Sequence, residues 1–527
     1  MEATSNFDAI IVGSGMGGMT VASLLSSRFG ARVLLLEKHG KLGGFTHIFK
    51  RPKPGATDPD QKYEFDVGLH YVGQMHKGAP VRNAMDAVTG GAVEWSPMPD
   101  CFDRVSFPGF QLSVPKGRDR FLAELIQRFP AEEKAIRRYF KDVQSAQGWM
   151  MRNQMAQNFP KGPWSTLLRA PGRRLALGNY GDYLKTHFQD PGLRLALSYF
   201  WWDHGVAPSE CPFVTQAIIA EHYWEGAYYP KGGSSTIGTA VRGIIEKAGG
   251  VIQLKTEVKK ILTEGGRAVG VETADGKTYR APWIYSNIGL QRTYEDLLQK
   301  PMPEGAKDVF KTPEFTVVTL YLGLRESPTR PGSVQKVEGE NYWLCDVESL
   351  DSEEAWVRRD ELLDGKAWAA YLSFPSLKDP GAKPGLVTAE IMAVVSRDAF
   401  KNWNGTSKSK RGEDYVALKA RMTEGLLILA EKHIPGFRAL VDFQELATPL
   451  TIEHYSSHRR GAIYGGAPIR SRYESGLFRP QTDVPGLYLC GTDAAGHGIA
   501  GALMGGVLAV GASKGWIPAF RVFGPSS

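Results

Sequence analysis

The stretch FDAIIVGSGMGGMTVASLL, residues 7–25, constrains the fold more than any other part of this chain. Ala9 to Val12 is a short apolar run that ends in glycine, the pattern of a buried strand. Gly13, Ser14, Gly15, Met16, Gly17 and Gly18 follow as G-x-G-x-x-G, and a helix-like pattern continues to Leu25. A second apolar run, Val33 to Leu36, ends at Glu37 and Lys38, about 20 residues after the glycines, the interval that a dinucleotide-binding βαβ unit requires. Gly13 permits the tight turn, Gly15 lets the backbone approach a pyrophosphate, and Gly18 lets the helix pack closely on the strand. The helix N-terminus then faces the phosphates, and Glu37 is placed to accept hydrogen bonds from a ribose. The expected frame is an α/β, Rossmann-type sheet.

Three further pieces extend this frame. Gly43, Gly44, Phe45 and Thr46 stand where a nicotinamide-binding domain would normally enter its next crossover helix. A glycine pair followed by threonine resembles the extension of the large flavoprotein oxidoreductase superfamily, in which the chain bends back over the FAD pyrophosphate. Residues 228–262 read as a turn, an amphipathic helix from about Ser234 to Ala248, a strand from about Val251, and an alternating segment at Val258 and Ile261. This piece resembles the middle FAD-domain segment of amine oxidases and phytoene desaturases, where the residue matching Val258 pairs with adenine through its backbone. The third, GLYLCGTDAAGHGIAGALMGGVLAVGA (Gly486 to Ala512), reads as a strand over Leu487–Leu489, then Cys490, Gly491 and Asp493, then a small-residue helix from about Gly498. Asp493 and His497 interrupt it, which argues against a membrane span. In flavoproteins of this type the matching Asp binds the ribityl chain. The helix N-terminus, here Gly498, Ile499 and Ala500, turns its N–H groups and positive dipole end to the flavin, where the reduced form is negative.

The charge of +7 is concentrated: residues 111–185 hold 14 Lys/Arg against 6 Asp/Glu, and no acid occurs from Val143 to Gly181. That segment mixes Arg152, Lys161, Arg169, Arg173 and Arg174 with Trp149, Met151, Met155, Trp164, Leu167 and Leu168. The mixture suits a peripheral membrane patch, and equally a solvated basic face over an ordinary core. No nucleic-acid recognition motif accompanies it, so nucleic acid is not an expected partner. The N-terminus lacks the basic and apolar regions of a secretory signal. Cys101, Cys211, Cys345 and Cys490 have neither metal-ligand nor redox spacing, which points to free thiols, a reducing compartment and no metal site. The expected location is cytoplasmic or organelle-lumenal, at a membrane surface.

EFDVGLHYVGQ (Glu64 to Gln74), FDRVSFPG (Phe102 to Gly109), RFPAEE (Arg128 to Glu133) and PLTIEHYSSHRRGAIYGG (Pro449 to Gly466) make the resemblance specific. The chain is identified as a member of the retinol saturase/carotenoid isomerase branch of the phytoene desaturase-like flavoproteins. The resemblance implies FAD, a discontinuous FAD-binding domain (1–75, 228–292 and 483–527) and an α+β substrate domain (76–227 and 293–482). It implies chemistry on carbon–carbon double bonds of a long apolar molecule: a retinoid, a carotenoid or an unsaturated fatty acyl chain. Saturation or desaturation is the first reading. A cis–trans or double-bond isomerase without net redox and a flavin-free lipid carrier of the same fold are the alternatives. No second nucleotide fingerprint is present, so NAD(P)H as external reductant would bind without a Rossmann domain of its own, or another protein would supply electrons. His70 and Tyr71 follow the first FAD piece and are candidate acids or bases, or a structural hydrogen bond and a pocket wall. Glu453, His454 and Tyr455, with His458 and Tyr464 near, form a second polar cluster. Read as consecutive strand residues, at most two of the first three face inward. His497 stands beside the flavin-facing helix. The aromatic runs 199–205 and 220–230 suit a polyene tunnel or plain core packing.

Overall fold

The computed structural model describes residues 7–158, 167–311, 315–349, 351, 353–407 and 410–516. The fingerprint forms strand Ala9–Val12, helix Met16–Phe29 and strand Val33–Leu36. Five parallel strands build the sheet, in the order Val251–Gln253, Val33–Leu36, Ala9–Val12, Ile284–Ser286 and Leu487–Leu489. Three distant parts of the chain therefore meet at the carboxyl ends of adjacent strands, where ligands bind in such sheets. Helices Met16–Phe29, Ser235–Lys247 and Gly498–Lys514 pack in one core with the sheet. Helix Pro80–Thr89 joins them, burying Ala84, Met85 and Val88 in that core, so the boundary expected after residue 75 divides a continuous hydrophobic unit.

The glycines of the C-terminal helix have a steric reason. A Cβ on Gly505 would lie 2.1 Å from the Gly491 carbonyl oxygen, and one on Gly506 would lie 2.5 Å from Thr20 Cβ. Only bare backbone lets this helix cross the fingerprint helix so closely. No helix among the described residues is long and apolar enough to cross a membrane.

The other half is a seven-stranded sheet, ordered Val441–Ala447, Val317–Leu324, Val387–Val394, Ala369–Ser373, Asn341–Cys345, Cys101–Phe107, Phe110–Pro115. Its pairs are antiparallel except Asn341–Cys345 with Cys101–Phe107. Strand Val317–Leu324 is buried along its whole length, which explains its unbroken run of apolar and small residues. Helix Gly412–His433 shares the core of one face. A helical layer with Glu133–Asn158, Tyr180–His187, Pro191–Ser198 and Phe213–Trp224 forms a second core at the Cys101–Phe107/Phe110–Pro115 end of the sheet. The hairpin Ile48–Pro52/Lys62–Asp66 ties the halves together: Arg51 forks onto Glu445, Tyr63 donates to Asp442 (2.7 Å), and the Asp66 N–H donates to Glu390 (3.0 Å).

Candidate functional site

One cavity of about 910 Å³ runs from the ends of the parallel strands to the face of the large sheet. Its first part is built of backbone. Gly13 (φ 90°) and the pair Gly43 (φ 123°) and Gly44 (φ 58°) occupy conformations that side-chain-bearing residues rarely adopt. A Cβ on Gly15 would come within 2.7 Å of Asn287 Nδ2, and one on Gly44 within 2.8 Å of Gly15 Cα. Gly13, Ser14, Gly15 and Met16 line the cavity, as do Gly43, Gly44, Phe45 and Thr46. Gly17 and Gly18 face inward instead: their Cβ atoms would strike Gly491 N at 2.3 Å and the Gly13 carbonyl oxygen at 2.1 Å.

Glu37 accepts from the Ser14 N–H (2.8 Å) and hydroxyl (2.6 Å) on one oxygen and from the His39 N–H (2.7 Å) on the other. The second oxygen keeps an acceptor position for a ligand hydroxyl. Val258 and Lys38 line the same end, and Lys38 Nζ donates to Ser457 (2.8 Å). At the opposite end, Asp493 binds the Leu290 N–H (2.8 Å) and the Gly466 N–H (2.9 Å). Gly491, Asp493, Gly498 and Ile499 line the wall; Ala500 is not among the lining residues. The cradle therefore fits a flavin dinucleotide: glycine-walled, long, with an acid at one end and a helix N-terminus at the other.

Two residues that sequence reasoning missed hold it. Arg472 is buried beside Asp493 and donates to the carbonyls of Gly466 and Thr492 (2.5 and 2.6 Å), with 3.4 Å to Asp493 Oδ1. Asn287, directly after strand Ile284–Ser286, is the wall against which the fingerprint glycines close. Its place at a strand's carboxyl end was a usable signal; Arg472 had none.

The second part of the cavity is floored by side chains of the large sheet. Strand register puts Ala447, Thr319, Met392, Tyr371 and Trp343 in one row across five strands. All five line the cavity, with Val317, Tyr321, Phe315, Trp202 and Tyr464 beside them. The aromatic run 199–205 thus contributes wall, while Tyr199, Phe200, Tyr223 and Trp224 surround a separate small cavity of about 30 Å³.

His70 and Tyr71 reach the cavity wall. Tyr71 stacks on Tyr223 (4.4 Å) and its hydroxyl donates to Asp203 (2.9 Å); burial pushes its pKa well above the phenol range. His70 Nδ1 lies 3.1 Å from Glu390 Oε2, off the line of a hydrogen bond, and burial lowers its pKa to about 4. Behind it Lys378, also unread in the sequence, donates to the His70 carbonyl (2.8 Å), Asn341 (2.6 Å) and Ser373 (2.6 Å). His497 stacks flat on Tyr464 (5.0 Å) with its ring nitrogens at the carbonyls of Gly466 (2.9 Å) and His204 (3.2 Å). Burial and Arg472 bring its pKa down to about 3, and the neutral ring has one N–H to donate to one of these carbonyls.

Glu453, His454 and Tyr455 depart from expectation. Thr448 caps a helix, Pro449–Ser456, where a strand was read. Glu453 pairs with Arg397 (2.8 Å), and His454 is exposed; neither lines the cavity. Tyr455 sits at the rim, edge-on to His39 (5.5 Å). In the run 220–230, the Gly73 N–H donates to His222 Nε2 (2.9 Å), and burial lowers that ring's pKa to about 4.

The model of the family described as flavin containing amine oxidoreductase matches residues 16–512. The chain belongs to the flavin-containing amine oxidoreductase family. It is 31% identical to an all-trans-retinol 13,14-reductase of Danio rerio over 95% of this chain and 84% of that protein. It is 25% identical to a prolycopene isomerase of an Oncidium hybrid cultivar over 96% of this chain and 84% of that one. Among solved structures it resembles an oxidoreductase from Methanosarcina mazei (TM-score 0.60, 18% identity, 94% of this chain and 98% of that one), a likeness of fold. This family member therefore has an FAD-binding α/β fold and a flavin cofactor.

Proposed function

We propose that this chain is an FAD-dependent oxidoreductase that saturates or desaturates a carbon–carbon double bond in a long apolar polyene of the retinoid or carotenoid kind. The observation that carries this reading is the transverse row from Ala447 to Trp343, which gives the cavity an apolar and aromatic floor about 19 Å long, from four interstrand steps of about 4.8 Å. A flat, extended polyene suits such a floor, and the glycine cradle adjoins it. In this reading Glu37 holds the adenosine ribose, Gly13–Met16 and Gly43–Thr46 the pyrophosphate, Val258 the adenine and Asp493 the ribityl chain. Bound there, FAD would supply hydride exchange with a substrate carbon. The N-terminus of helix Gly498–Lys514 stabilises negative charge beside the cavity. Tyr371, Trp343 and Met392 orient the chain and exclude water. In this reading residues 1–75, 228–292 and 483–527, with helix Pro80–Thr89 added, bind FAD, and the remainder holds the substrate.

The relative named prolycopene isomerase supports a second reading, isomerisation without net redox. Product mass separates them. The flavin-loaded chain is incubated with all-trans-retinol or a cis-carotenoid under a chemical reductant. A product heavier by two hydrogens supports the reductase; one of unchanged mass supports the isomerase. A chain that binds no flavin would overturn both and favour the lipid carrier. NAD(P)H or a partner protein would supply electrons in turnover.

We also infer peripheral docking on an anionic membrane. Met151 (65% exposed) and Leu167 (63%) stand out with Met155 and Leu168 near Arg152, Arg169, Arg173 and Arg174. Lys161 and Trp164 lie outside the described residues.

A further inference from the structure

Asp203 stands on the wall of the cavity in the short turn Trp201–Asp203. The turn is clamped from three sides. The Tyr464 hydroxyl donates to the Trp202 carbonyl (3.2 Å), and His497 meets the His204 carbonyl (3.2 Å). Gly205 (φ 77°) closes on Phe315 and Tyr464 so tightly that a Cβ would lie 2.9 Å from each. His497 is the cap of helix Gly498–Lys514, so the turn is seated on the element proposed to face the flavin. Asp203 is thus held where the cradle meets the aromatic floor.

Asp203 is half-buried, and it lines the cavity. Tyr71 donates to its Oδ2 (2.9 Å), and among the described residues no cation lies within ion-pair reach. The ionisable groups around it are Asp103, Tyr71, Tyr199, Tyr223, Tyr371 and Tyr464, and Lys378 Nζ lies 5.9 Å from the Tyr71 ring centre. A carboxylate without a counterion is expensive in such surroundings, and the neutral acid is favoured. Burial, with the Asp103 charge, raises its pKa to about 8. Because Tyr71 occupies Oδ2, the acid proton belongs on Oδ1.

We propose that Asp203 is the proton donor to the substrate double bond, with Tyr71 as the residue that positions it; this rests on the reading of the protein as a double-bond enzyme. Saturation breaks one π bond. One carbon would take a hydride, two electrons with one hydrogen, which reduced flavin would supply when bound. The neighbouring carbon takes the proton of Asp203 Oδ1. The carboxylate left behind takes a proton back from water. In desaturation the same carboxylate accepts the proton.

The test uses the flavin-loaded full chain and the variants Asp203→Asn, Asp203→Glu and Tyr71→Phe, with all-trans-retinol and a cis-carotenoid as probes. Infrared spectroscopy of the protein without substrate should show the carbonyl stretch of a protonated acid that Asp203→Asn removes. The same variant should retain flavin absorbance and probe binding while turnover falls by about 10²–10⁴-fold, and Asp203→Glu should recover part of it. Tyr71→Phe keeps the ring stack but removes a hydrogen bond that favours the carboxylate, so the alkaline limb of its pH profile should move to higher pH. Absence of the infrared band, an Asp203→Asn turnover within about threefold of wild type, or an unmoved Tyr71→Phe limb would overturn the assignment. A wild-type chain that converts neither probe would overturn the substrate reading, and the donor role with it; an active wild type beside an active Asp203→Asn overturns the donor role alone.

Discussion

Arg472→Met tests whether the two halves of the site are locked together through one buried cation. The guanidinium serves the carbonyls of Gly466 and Thr492 and approaches Asp493 Oδ1. The Arg472 and Asp493 side chains are 3% and 1% exposed, so water replaces none of these contacts. Asp493 would keep the N–H groups of Leu290 and Gly466 but lose its counterion. Removing one partner of a buried pair costs about 3–5 kcal/mol, because the other charge stays buried. At about 2.1 cal/mol/K of unfolding entropy per residue, a chain of 527 residues unfolding as one unit carries roughly 1.1 kcal/mol/K, so the midpoint should drop by about 3–5 °C. The assay is thermal unfolding followed by far-UV circular dichroism, with and without flavin, alongside flavin release on dilution. Arg472→Lys keeps the charge but not the fork, and should fall between. Adding Asp493→Asn to Arg472→Met should cost less than the two single losses summed, since the unpaired charge is gone. An unchanged midpoint with unchanged flavin retention in Arg472→Met would refute the reasoning.

Gly44→Val should yield chain without flavin, because it forces a positive φ on a branched residue and a Cβ within 2.8 Å of Gly15; absorbance after reconstitution reads this directly. The Asp203 carboxyl, raised by burial from 3.8 to about 8, gives a pH-dependent stability term: it is full below 3.8 and lost as pH rises toward 8. The stability of Asp203→Asn relative to wild type should therefore improve between those pH values, measured by urea unfolding. Met392→Trp puts a larger ring in the middle of the floor and should raise KM for a long polyene more than for a short one. Arg173→Glu with Arg174→Glu should weaken binding to anionic vesicles by roughly 1 kcal/mol or more per charge, in a salt-dependent way and with flavin content unchanged.

The cradle was legible because its signals are local. Gly13 to Gly18, the pair at Gly43 and the strand–turn–helix at Leu487–Gly498 each fix backbone shape within a few residues, and each stands where its pattern placed it. The helix at Pro449–Ser456 also has a local signal, Thr448 as cap with Pro449 in the first turn, which outweighs the strand-like polar triplet Glu453–Tyr455. The floor was illegible for a different reason. Ala447, Thr319, Met392, Tyr371 and Trp343 become neighbours only through strand register, and their sequence order says nothing of that row. Asp203 and Lys378 likewise gain their character from what surrounds them, burial without a counterion for one and three acceptors for the other. In the proposed reading, cofactor binding rests on glycines that must stay bare, and the choice of substrate on which side chains the large sheet aligns. A substitution in the row should change which polyene is accepted while leaving the flavin in place, and a substitution in the cradle should remove the flavin whatever polyene is offered.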